Sequence, residues 1–262
     1  MISSVKLRKA ERKVLNFMPY QKRMDEILNN YLNSETAIET SVYTQTREVK
    51  KVGIVVFASN SSLCGAYNSS LIKQMEQSIR THRDVRHEEI LIFPVGKKVR
   101  KVCEKAGINI AGVFDDIAEN PNYNQTAKLA ESLMQMFVNN EIDKVKLIYF
   151  HYKSKGRQIL QADTFLPVEL DLGNAGKQHN DYIVEPTGET VLNLLLPKVL
   201  CSKMYAAALN AYASEQAARL LAMQTATDNA DDLLQELSIQ YNKSRQQAIT
   251  SELLDIAGGK IE

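Results

Sequence analysis

The residues best suited to chemistry in this chain are few and scattered. Gly96-Lys97, in the run VGKKV, follows an apolar stretch, where a phosphate-cradling loop would be sought. A P-loop needs GxxxxGK[ST], so that backbone N–H groups and a lysine converge on phosphate, and a dinucleotide fold needs GxGxxG. The sequence contains neither, and a lone Gly-Lys reads as a surface turn. His82, His87, His151 and His179 show no HExxH or i, i+4 spacing, so they suggest no metal site. GxSxG is absent as well. Cys64, in SSLCGAYN, stands where a nucleophile would follow a strand, but no basic partner is visible. Packing, or a close backbone approach at Gly65, is its expected use. These residue types assign no catalytic residue, no metal and no cofactor.

The elements around these residues alternate. VGIVVFA (52–58) is a continuous β-branched run, as a buried strand requires. A helix is predicted over 69–80, a strand over 90–95, a short helix over 97–106 and a third strand over 108–114. An amphipathic helix over 124–139 and a strand over 145–152 follow. KSKG then turns into QILQADTFLPVEL, an added hairpin arm. Such alternation implies a Rossmann-like α/β domain with a mainly parallel sheet covered by helices.

The two ends read differently. Residues 1–52 hold no glycine and one proline, Pro19, which should kink a helix there. After Pro197 neither residue occurs until Gly258, a spacing normal for one long helix. A heptad seam runs through Leu192, Val199, Ala206, Ala213, Leu220, Leu234, Tyr241 and Ala248, with Leu195, Leu209, Met223, Ala230 and Leu237 beside it. Gln216, Thr227 and several serines make the seam impure, and its alanines would admit a partner helix closely. Helical from Thr190 to Ala257, the segment would be roughly 100 Å long at about 1.5 Å per residue. Leu7, Ala10, Val14, Phe17, Met24, Leu28 and Tyr31 repeat the rhythm at the other end, and Ile38 and Val42 extend it. The expected architecture is therefore α/β with a long antiparallel coiled coil of the N- and C-terminal helices. It divides into 1–50, the N-terminal coiled-coil helix, 51–188, the α/β domain, and 189–262, the C-terminal coiled-coil helix. The alternative is that both helices pack on the sheet. The first helix can offer about 47 residues before the first strand, so about 20 of the long helix would lack a partner in this chain, leaving Leu237, Tyr241 and Ile249 exposed.

Composition excludes several classes. At 262 residues, 44% hydrophobic and 24% charged, the chain can bury a core and is not of disordered type. A net charge of +1 selects neither nucleic acid nor lipid. No continuous apolar run of about 18 residues is present to span a membrane, and MISSVKLRKAERK lacks the apolar centre of a signal peptide. Cys64, Cys103 and Cys201 are far apart and odd in number, which suits buried thiols in a reducing compartment. Charge is polarised along the helices. Within residues 1–23, Lys6, Arg8, Lys9, Arg12, Lys13, Lys22 and Arg23 face one acid, Glu11, whereas between Arg219 and Lys243 Asp228, Asp231, Asp232 and Glu236 have no base among them. These are either solvated faces or a polarised shaft that steers assembly with acidic partner surfaces.

SEQAARLLAMQTATDNADDLL (214–234) and YNKSRQQAITSELLDI (241–256) resemble the gamma subunit of F-type ATP synthases. ISSVKLRKAE, SSLCGAYN, VGKK and YIVEP follow the order of that family, so the resemblance spans essentially the whole chain. It implies a central-stalk rotor shaft that catalyses nothing itself. Its coiled coil lies inside the hexameric ring of alpha and beta subunits, its middle domain sits on the membrane c-ring with the epsilon subunit, and proton flow is coupled to ATP synthesis in the beta subunits. It implies a peripheral position at the cytoplasmic face of the bacterial inner membrane, with no nucleic acid and no membrane insertion. Carried over residue by residue, Arg245, Gln246, Thr250 and Glu252 would meet the beta-subunit catch loops. Arg8, Lys9 and Arg219 would be charged contacts of the shaft, and Cys64, Gly65 and Asn68 would belong to the foot facing the rotor ring and epsilon. No counterpart of the chloroplast regulatory cysteine pair is found, so thiol control is not expected.

The chain departs from the family at three places. In the terminal pattern I-T-x-E-x-x-[DE]-x-x-x-G-A, Ile249, Thr250, Glu252, Asp255 and Gly259 match, but Lys260 replaces alanine. In D-[RK]-G-L-C-G, Asn60, Ser61 and Ser62 replace the first three residues, so a charged contact is expected to be lost or remade. Relatives also carry further helical residues ahead of the point matching Met1, so a shortened start is expected. A coiled-coil adaptor without a rotary role is the competing reading.

Overall fold

The computed structural model describes residues 2–32, 41–82, 89–168 and 188–258. YIVEP, Ile38, His87, His179, Gly259 and Lys260, and the side chain of Tyr31, lie outside them. In chain order the elements are α1 (Ile2–Leu32), a 3-10 turn (Val42–Thr44), β1 (Val52–Phe57), α2 (Tyr67–Thr81), β2 (Ile90–Val95), α3 (Lys97–Ala106), α4 (Asp115–Glu119), α5 (Tyr123–Val138), β3 (Lys144–Ser154), β4 (Arg157–Leu166) and α6 (Gly188–Gly258). By contacts the chain forms two compact units, Met1–Leu220 and Leu221–Glu262.

In the first unit the sheet order is β2-β1-β3-β4. β1 pairs in parallel with β2 and β3, and β4 returns antiparallel to β3 as the hairpin arm. The period of two in a strand sends alternate side chains of β1 to opposite faces. Val52, Ile54 and Val56 meet Leu71 and Met75 of α2 and Val99 and Cys103 of α3. Val55 and Phe57 meet Leu133 and Phe137 of α5 and Leu200, Met204 and Ala208 of α6. Burial on both sides is why the strand reads as an unbroken apolar run.

The third strand expected over 108–114 does not form. Only one parallel bridge joins Ile110 to Ile92. Gly112 then turns the chain at φ +94°, with the Phe114 ring where a Cβ would stand, and α4 begins three residues later. The extension of the N-terminal heptads to Val42 fails as well: that residue sits in the 3-10 turn and is 42% exposed. α1 runs through Pro19 as one element, with the proline on an exposed face.

α6 is covered from two sides over its first thirty or so residues. One face joins the sheet core, as above. Another meets α1, with Leu28 beside Leu192, Leu196 and Val199, and Ala10 and Val14 beside Leu209 and Ala213. Rising numbers on α1 against falling numbers on α6 make the pair antiparallel. The coiled-coil reading holds on one face of α6, while another face of that helix, unlike α1, joins the sheet core. An 18-residue window of α6 reaches a mean hydropathy of 1.2, enough by composition for a membrane span, but 56% of it is buried inside the protein. Burial here explains the apolar window, as it does for core helices generally.

The described residues of the second unit are helix alone. From Gln224 to Gly258 every residue is exposed.

Candidate functional site

In an open parallel sheet, ligands bind beyond the carboxyl ends of the strands where the winding reverses. Here β1 is that strand, since the chain winds from it to β2 on one side and then to β3 on the other. α6 and α2 fill the crevice. Phe57, Ala58, Tyr67, Val95, Ala208 and Ala211 leave a cavity of about 10 Å³, room for one water. The buried Tyr67 hydroxyl lies 3.2 Å from the Phe57 carbonyl and 3.0 Å from that of Ala211, able to donate to either. Burial, then Glu215 and Cys64, push its pKa well above 10.0.

The Gly96-Lys97 turn faces inward. Gly96 has φ +112°, and a Cβ there would stand 2.4 Å from the Ala58 carbonyl oxygen, so glycine is required. Its peptide neighbours are also engaged. Lys97 N donates to Asn60 Oδ1 at 3.0 Å, and Lys98 N to the Ser59 carbonyl at 3.2 Å. The first amides of α3, which would have cradled an anion, point at the loop after β1. Asn60 also donates from Nδ2 to the Asp115 carbonyl at 2.9 Å. An aspartate, the residue the family pattern carries there, has no such donor. Asn60 thus both accepts from Lys97 and donates to Asp115 in this turn.

The same loop holds Cys64 and Gly65, and Asn68 follows in the first turn of α2. Cys64 is 2% exposed, with its sulfur 3.1 Å from Asn68 Nδ2. Asn68 also accepts from Ser59 N and donates to Ser59 Oγ. Leu63 (φ +68°) and Gly65 (φ +56°) sit in the left-handed region, which throws Leu63 outward at 68% exposure. Cys64 and Asn68 thus brace the loop from inside, while Ser61, Ser62, Leu63 and Gly65 form its surface.

Arg219 ties this loop to α6. Its guanidinium donates to the Ser62 carbonyl and pairs with Glu215 at 2.5 Å. Glu215 is nearly buried, and desolvation raises its carboxyl pKa, with Arg219 and then Lys6 of α1 opposing the shift. Arg219 is therefore largely engaged within the chain, unlike Arg8 and Lys9, which are exposed on α1. The Arg219 group and the α1 pair do not come together as one cluster.

Arg245, Gln246, Thr250 and Glu252 all lie exposed in the second unit, where Thr250 donates its hydroxyl to the Gln246 carbonyl at 2.8 Å. Around them Leu233, Leu234, Leu237, Ile239, Tyr241, Ile249, Leu253, Leu254 and Ile256 are 45–70% exposed. Continuous apolar exposure of this kind marks an interaction surface. Among the described residues no three His, Cys, Asp or Glu side chains gather as metal ligands.

Sequence reasoning missed Tyr67, Asn210 and Ser214, which bond the α/β elements to α6. The available signal was polar residues interrupting the alanine-rich run 206–218 at i, i+4 spacing.

Known proteins share this arrangement. A solved central stalk of the mitochondrial ATP synthase of Tetrahymena thermophila aligns over 87% of this chain and all of its own, at 22% identity and a TM-score of 0.60. A chain from the Euglena gracilis mitochondrial enzyme, solved with OSCP, F1 and c-ring in rotational state 3, aligns over 98% of this chain and 94% of its own, at 20% identity and 0.59. These show a common fold. A family model described as ATP synthase matches residues 1–260. The ATP synthase gamma chain of Bacteroides thetaiotaomicron is 45% identical over 274 residues, covering all of this chain and 92% of that one. The chain belongs to the ATP synthase gamma-chain family.

Proposed function

We propose that this chain is the central rotor shaft of an F-type ATP synthase, coupling proton flow through the membrane sector to ATP synthesis in the beta subunits and catalysing nothing itself. Its partners are the hexameric ring of alpha and beta subunits, the epsilon subunit and the membrane c-ring. It works as a peripheral protein at the cytoplasmic face of the bacterial inner membrane. The observation that carries the reading is the helix 224–258, exposed at every residue and carrying large apolar side chains, in a member of this family. A helix with that much uncovered leucine and isoleucine is built to be enclosed by other chains.

The division of labour follows residues 1–50, 51–188 and 189–262. Arg245, Gln246, Thr250 and Glu252 engage the beta-subunit catch loops. Arg8 and Lys9 serve as charged contacts of the shaft, and Arg219 contributes through the loop it holds. Gly65 meets the rotor ring and epsilon, with Cys64 and Asn68 shaping the loop that presents it.

Mixing the full chain with alpha and beta subunits tests this. The expected result is a complex with ATPase activity that the alpha and beta subunits lack without it. A complex that forms without stimulating ATPase favours an adaptor, and no complex sinks the shaft reading.

A further inference from the structure

Between Ala206 and Ala217 six of the twelve residues of the long helix are alanine, with Leu209 and Tyr212 the large apolar side chains among them. Ala206, Ala207, Ala208, Ala211, Ala213 and Ala217 are all buried. Alanines raise low ridges, so packing of ridges into grooves resists sliding or rolling of this helix weakly. Polar side chains interrupt that surface and reach the backbone of β3. Asn210, 3% exposed, accepts from the Tyr152 amide at 3.2 Å through Oδ1, and its Nδ2 donates to the Ala206 carbonyl at 2.9 Å. Ser214, fully buried, donates its hydroxyl to the Phe150 carbonyl at 3.1 Å.

The spacing of these bonds is matched. Positions 210 and 214 lie one above the other on the helix, about 6 Å apart at about 1.5 Å per residue. Residues 150 and 152 are about 6.6 Å apart along a strand that rises about 3.3 Å per residue. Two bonds therefore close together in one register, and a shift of one residue or one turn breaks both. Tyr152 carries the link further, since its hydroxyl donates to Glu11 on α1. A buried polar residue that fixes the register of packed helices is an established device.

We infer that Asn210 and Ser214 form a polar key that holds the long helix in one register on β3, and that Tyr152 extends the key to α1, so that the sheet and both helices turn as one body. This rests on the rotary reading above. Asn210 and Ser214 act as positioning residues, because they touch no partner surface themselves.

The test uses the whole ATP synthase in membrane vesicles, carrying the full chain as wild type, N210L/S214A, S214A or S214T. ATP hydrolysis and proton uptake per ATP are measured together with the amount of assembled complex. Amide exchange at Tyr152 is followed in the full chain alone. Exchange at Tyr152 should rise about fivefold in N210L/S214A, the effect of one neutral hydrogen bond. Proton uptake per ATP should fall while hydrolysis and assembly hold, and S214T, which keeps the hydroxyl, should restore the ratio lost in S214A. An unchanged ratio overturns the key, as does a proportional loss of both activities with the amount of complex. If N210L/S214A does not fold, S214A against S214T carries the same comparison. A wild-type chain giving no ATPase-active complex sinks the rotary reading itself, and the Tyr152 exchange then decides the key: no rise overturns it.

Discussion

Two stretches of α6 carry the same heptad grammar and meet opposite fates. Leu192, Val199, Leu209 and Ala213 are at most 4% exposed, whereas Leu237 and Tyr241 are 51% and 69% exposed. The repeat states that a stripe is apolar enough to be covered. It does not state what covers it. In the first stretch α1 and the sheet core do so, and in the second nothing among the described residues does. The first stretch is a folding element, and the second is exposed helix.

Truncating a side chain in each stretch gives the widest separation. Met204 is fully buried against the sheet core, so Met204→Ala should cost about 2–5 kcal/mol in urea unfolding of the isolated chain. Leu237→Ala should stay within about 0.5 kcal/mol. Similar losses at both sites would erase the contrast. The next largest effect is expected at the segment that joins α1 to β1. Arg47 Nε lies 2.7 Å from Asp143 Oδ1, an ionic contact without good N–H alignment, while its NH2 donates to the Phe137 carbonyl at 2.7 Å. The guanidinium also lies 4.4 Å from the Phe137 ring centroid, and Asp143 Oδ2 accepts from Lys50 N and Lys51 N at 2.9 Å. Arg47→Ala should lower stability by about 1.5–3 kcal/mol, the range for bonds to a charged group. A lysine there should recover little, because one ammonium cannot reproduce the fork.

Much of this was legible in the sequence, for identifiable reasons. β2 and α3 begin and end where their patterns predict, since apolar runs and the flanking Gly96 and Gly107 mark them locally. The long helix runs two residues beyond its expected start and one beyond its expected end, because a glycine-free stretch fixes it independently of packing. The strand expected over 108–114 failed because Gly112 and Phe114 set a turn that alternation alone does not reveal. The uncovered part of α6 also begins earlier than expected. α1 supplies 31 residues rather than about 47, and its buried partners on α6 lie between Leu192 and Ala213. The polar contacts of Asn210, Ser214, Tyr67 and Arg219 were hidden because each joins parts of the chain far apart in sequence.

A smaller effect separates helix propensity from packing. Ala230 is exposed and touches no core, so Ala230→Gly should destabilise its own helix locally by about 1 kcal/mol. Amide exchange near position 230 should quicken while the global urea midpoint holds. A shifted midpoint would mean that the two stretches unfold as one unit. Enclosure by alpha and beta subunits should abolish the exchange difference, because packing then supplies what propensity no longer does.

The smallest effect is silent at neutral pH and appears only in alkali. Burial pushes the Cys201 thiol of α6 and the Cys103 thiol of α3 from an ordinary 9.0 to about 11. A thiol whose pKa is raised on folding keeps its proton in the native state after the unfolded chain has lost its own. Its contribution is therefore complete below pH 9.0 and disappears as pH climbs through about 11. Urea stability of the chain should fall across that window. The buried Tyr67 and the half-buried Tyr149 and Tyr152, whose pKa values are also raised, push the same way. C103A/C201A should thus flatten the slope without abolishing it, whatever it does to stability at pH 7. An unchanged slope would mean that water reaches these thiols, and that the covered stretch of α6 is less closed than its contacts with α5 and the sheet require.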